Sequence, residues 1–172
     1  MNNQPLSSAP VRSARRPLGL TIPAILGLAL LAVPRAVLHD LSIIQSGTWV
    51  NSLFVFVPLI VWIAVAIAAR VPRPFLTLLV VGVCDGVLLA TVHQVFWGAS
   101  FPDGPPSLGG NLSQIDTALQ AVVFRGATAI SSLFTGTVIG VLTGLVAELV
   151  ALVIRGGSVA PVGDRRRAAE GR

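Results

Sequence analysis

The chain has 172 residues, 53% hydrophobic and only 11% charged, and its formal net charge of +5 comes from arginines with no lysine present. Apolar content that high, gathered into four runs of membrane-crossing length, excludes an ordinary soluble domain. The basic residues lie in short flanks of those runs, so their partner is the headgroup region of a lipid bilayer and not nucleic acid.

The arginines fix the expected topology. Arg12, Arg15 and Arg16 precede the first run, Arg70 and Arg73 separate the second from the third, and Arg155, Arg165, Arg166, Arg167 and Arg172 follow the fourth. The connections after the first and third runs carry no basic residue. By the positive-inside rule this predicts an all-α, polytopic four-transmembrane-helix bundle with both termini cytoplasmic. The all-arginine, Ala/Gly/Val-rich usage points to a bacterial inner membrane.

Residues 1–17, with three prolines and scattered serines, read as a flexible cytoplasmic tail. The first span is expected over 19–38. It is long for a cleavable signal, and Arg35 and His39 stand where a small-residue cleavage site would be needed, so it reads as a retained signal anchor. Pro34 should kink it and free carbonyls that neighbours must satisfy. A short outer loop leads to the second span, 50–69, which has Pro58 at its middle and bulky apolar residues suited to lipid. Arg70-Val71-Pro72-Arg73-Pro74 forms a stiff inner turn. The third span, 75–97, holds Asp85 at its centre and His93 and Gln94 in its outer third. A Gly/Pro/Ser-rich outer loop follows, and the 39 residues from Asp116 to Ile154 exceed one crossing. They are expected to divide into an outer helix near 115–124 and a span at 127–154, with a break at Arg125-Gly126, the alternative being one long helix that projects outside. Residues 155–172 form a basic cytoplasmic tail.

Three groups of residues carry the functional expectation. Gly136, Gly140 and Gly144 are spaced four apart on the fourth span, and Gly82 and Gly86 repeat the spacing on the third. Small residues at that interval let two helices approach closely in lipid. Asp85, a carboxylate at bilayer depth, marks an ion or proton path, with Glu148 as an inner station and Thr137 on the same face as Glu148. Arg35, His39, His93, Gln94 and Arg125 collect at the outer level as a polar vestibule, in which Arg35 is expected to pair with Asp40 or Asp85 or to snorkel outward.

These features favour an oligomeric transporter or channel unit for an ion or small polar solute. One alternative is a noncatalytic accessory subunit of a larger membrane complex, held to partner subunits by Asp85 and the glycines. The other is a redox protein in which His39 and His93, the only histidines, hold haem or a metal. The single cysteine, Cys84, lies within an apolar run, and no HExxH, GxSxG or Walker sequence occurs, so the reading leans away from an enzyme.

Overall fold

A computed structural model describes residues 17–104 and 107–156. The expected tails, 1–17 and 155–172, fall almost wholly outside the described residues. The elements are α1 (Ile22–Leu30), α2 (Val33–Asp40), α3 (Trp49–Ala68), α4 (Pro74–Val95), the short α5 (Trp97–Ser100), a 3-10 turn at Gly110–Gln114 and α6 (Thr117–Gly156). Four stretches are long and apolar enough to cross a membrane: Ile22–Asp40, Trp49–Ala68, Pro74–Val95 and Thr117–Gly156. The protein is therefore an all-α, multi-pass membrane bundle.

The first span is broken in two where Pro34 enters the opening turn of α2. The chain crosses the break with tighter i→i−3 bonds, Leu31 N–H to the Leu28 carbonyl and Ala32 N–H to the Ala29 carbonyl. Trp62, fully buried on α3, donates its indole N–H to the Leu28 carbonyl at 2.7 Å. A carbonyl loosened by the break thus gains a donor from a neighbouring helix, which a lipid environment without water requires.

The most extensive packing joins α4 to α6. A Cβ built on Gly82 would collide with the Gly136 carbonyl and the Gly140 backbone. One on Gly86 would fall 2.9 Å from Leu133 Cα, and one on Gly144 would fall 2.9 Å from the Phe75 carbonyl. The two backbones touch along the glycine ladder, where dispersion and weak Cα–H···O contacts replace the hydrophobic drive that lipid removes.

α6 is one continuous 40-residue helix, about 60 Å long at 1.5 Å per residue, so the break expected at Arg125-Gly126 is absent. Its neighbours explain the continuity. Phe124 packs edge-on against Trp97 and Phe101, and Arg125 is clamped to the end of α4, so the segment around Gly126 is braced in helical form. Asp116 caps the new start by accepting from the Ala118 N–H at 2.9 Å. Gln120 then ties the preceding loop down, accepting from the Leu108 N–H and donating to the Ile115 carbonyl. The expected third span, 75–97, is likewise shorter, ending at Val95 before the α5 turn.

The bundle has two distinct ends. At one, Thr77 donates to the Leu18 carbonyl at 2.8 Å and the Phe75 N–H reaches Glu148 at 3.3 Å. This basic end gathers the start of α1, the α3–α4 turn with Arg70 and Arg73, and the tail of α6 with Arg155. At the other, the histidine end, α2 meets α4 through Asp40 and His93.

Candidate functional site at the histidine end

Asp40 closes α2 and is only 5% exposed. A carboxylate so buried needs partners, and His93, two residues from the end of α4, supplies one: Nδ1 lies 2.6 Å from Oδ2. His39 Nδ1 lies 3.8 Å from the other carboxylate oxygen, while His39 Nε2 contacts the Ser46 hydroxyl at 3.1 Å. The two histidines therefore flank one acid. The Asp40 contact holds the orientation of the His93 ring, and His93 Nε2 has no hydrogen-bond partner among the described residues.

His93 lines two neighbouring cavities. The first, about 360 Å³, is walled by His39, Asp40, His93, Trp97, Ser100 and Thr128. The second, about 420 Å³, is walled by Arg35, Leu89 and His93 on one side and by Thr128, Ser131, Ser132 and Thr135 on the other. The Ser100 hydroxyl is buried with no hydrogen-bond partner among the described residues. An orphaned buried hydroxyl facing a polar cavity is an open donor and acceptor for whatever occupies it.

Arg35 pairs neither with Asp40 nor with Asp85. Its Nε donates to Oδ1 of Asn51, itself buried in the first turn of α3, at 3.1 Å. The reason is geometric: His93 has taken Asp40, and Asn51 faces α2 across the short connection. Gln94 and Arg125 form a separate clamp. Arg125 donates to the Gln94 side-chain oxygen, Gln94 donates to the Arg125 carbonyl, each at 3.2 Å, and the guanidinium lies 4.5 Å from the Trp97 ring centroid. The vestibule residues thus divide, with Arg35, His39 and His93 around the cavities and Gln94 with Arg125 bracing α4 to α6.

Asp85 is 7% exposed, next to Gly86 in the α4–α6 contact, and makes no hydrogen bond or ion pair among the described residues. It precedes His93 by eight residues, about 12 Å along the helix axis. Leu89, a wall of the second cavity, lies between the two. Glu148 is at the opposite end, its carboxylate capping α4 through the Phe75 N–H, and meets none of the arginines there. Thr137 returns its hydroxyl to the Leu133 carbonyl.

Among the described residues no group of three or more His, Cys, Asp or Glu side chains is arranged to hold a metal. His39 Nε2 contacts the Ser46 hydroxyl, while its Nδ1 lies 3.8 Å from Asp40, beyond hydrogen-bond distance.

The chain matches no protein-family model, no curated protein and no solved structure. Its chemistry has to be read from the site itself. The residues that sequence reasoning left aside are Asn51, Ser100 and the hydroxyls Thr128, Ser131 and Thr135, which form a stripe with Ser132, a residue legible as an extension of the glycine line. The stripe had a legible signal, since spacings of three and four place it on one helix face. Ser100 had none, because its burial depends on how the α5 turn folds back under Trp97.

Proposed function

We propose that the protein is a transport unit for an ion or small polar solute that binds in the histidine-end cavities. The observation that carries this reading is the meeting of two polar cavities at His93, with Asp40 holding one ring nitrogen and the other without a partner among the described residues. Arg35 and the α6 hydroxyls supply donors around the solute, and the unpartnered Ser100 hydroxyl supplies one more. Asp85 is the next polar station below Leu89 and Glu148 the last, so a path between the ends would run along α4. In this reading a chain of this size completes such a path with other copies of itself, and the arginine distribution supports cytoplasmic termini.

The test is flux into proteoliposomes holding the full chain, measured separately for protons, sodium and chloride. A flux lost in His93→Ala and Asp85→Asn, and kept in Gly27→Ala, supports the proposal. Gly27 serves as the control because nothing lies within 4 Å of a Cβ added there.

A second reading has its own observation. Thr117–Val123 of α6 projects past the end of α4, with Leu119 52% and Val122 64% exposed. An accessory subunit would dock a partner helix there. Absence of any flux, together with a copurifying subunit released by Leu119→Asp, would favour this reading over transport.

A further inference from the structure

The basic end holds a third cavity, about 580 Å³, walled by Ala66, Ile67, Arg70, Ala151, Ile154 and Arg155. Its placement of Arg70 is costly. α3 ends in a Schellman motif: the Arg70 N–H bonds the Ile67 carbonyl at 3.0 Å and the Val71 N–H bonds the Ala66 carbonyl at 3.2 Å. The residue between cap and exit must turn left-handed, and Arg70 does so at φ 48°. Glycine is the usual occupant there, and a side chain costs about 1 kcal/mol. Turn formation alone therefore does not account for the arginine.

Neither Arg70 nor Arg155 has an acceptor among the described residues. Glu148, on the same helix as Arg155, accepts from the Phe75 N–H instead. Two guanidiniums without an acceptor among the described residues thus stand beside apolar walls from α3 and α6, at the end of a stretch long and apolar enough to cross a membrane. We propose that this cavity is a binding site for an anionic phospholipid, its phosphodiester held between Arg70 and Arg155 and its acyl chain lying along Ala66, Ile67, Ala151 and Ile154. Paired guanidinium donors match phosphate oxygens geometrically, and basic pockets between membrane helices take such headgroups. The site is independent of the histidine-end cavities.

The experiment is native mass spectrometry of the full detergent-solubilised chain titrated with phosphatidylglycerol or phosphatidylcholine of identical acyl chains. Phosphatidylglycerol should bind more tightly, and Arg70→Gly and Arg155→Gln should each weaken it by about fivefold. Arg73→Gln removes the same charge three residues from Arg70 but outside the cavity walls, and should weaken binding less. Equal binding of the two lipids overturns the proposal. So does an Arg73→Gln loss as large as that of Arg70→Gly, which would mean a diffuse basic surface. Displacement of the lipid by millimolar inorganic phosphate would identify a free-anion site and overturn it too. Arg70→Gly relieves the left-handed backbone, so its loss of binding is not explained by failure to fold.

Discussion

The two ends of the bundle use charge in opposite ways. At the histidine end the polar side chains bond one another across helices: Asp40 with His93, Arg35 with Asn51, Arg125 with Gln94. At the basic end the one acid among the described residues, Glu148, caps a helix, and Arg70 and Arg155 have no acceptor among those residues. Charges that find partners inside the fold stabilise it and shape a cavity. Charges without a partner inside the fold are available to something outside, in the proposed site an anionic lipid headgroup. The contrast predicts that removing a charged side chain should destabilise the fold at the histidine end and should not do so at the basic end.

The largest effect should come from separating the helices that both ends rest on. Gly136→Leu forces a side chain into the Gly82 and Gly86 backbones, and should cost roughly 3 kcal/mol or prevent assembly, seen as a large fall in the thermal unfolding midpoint in detergent. A midpoint near that of the parent would show that α4 and α6 do not meet along the glycines. Next comes Asp40→Ala, which deletes the carboxylate that holds His93. It should destabilise by about 1.5–3 kcal/mol, and the flux should be lost with it. If Asp40→Ala unfolds like the parent, the pair does not brace α2 against α4. The smallest effect has the opposite sign. Arg70→Gly should raise stability by about 1 kcal/mol, since the left-handed position no longer carries a side chain. A fall instead would mean that Arg70 is bonded within the protein, and the two ends would no longer differ.

Much of this molecule is legible along the chain because lipid makes local rules strong. Twenty apolar residues must form a helix, since hydrocarbon offers the backbone no other partner. Pro34 announces its break, and the spacing of Gly82 and Gly86 against Gly136, Gly140 and Gly144 announces a close helix approach. The site is less legible. Arg35, His39 and His93 were visible as outer polar residues, yet their partners were not, because a hydrogen bond 53 residues long, such as that from Asp40 to His93, depends on how helices are rotated against each other. Arg125-Gly126 misled for a related reason. A glycine beside a charge reads as a break, and only the brace from Phe124, Trp97 and Gln94 keeps the helix whole.

The sequence by itself determined that the chain has four stretches long and apolar enough to cross a bilayer, and where its charges lie along them, because length and hydropathy act residue by residue. Tertiary structure alone decided which charges are paired. Pairing requires two side chains from different helices at one depth and one rotation. That is why Asp40 belongs to His93, Asn51 to Arg35 and Glu148 to the start of α4, while Arg70 and Arg155 have no acceptor among the described residues.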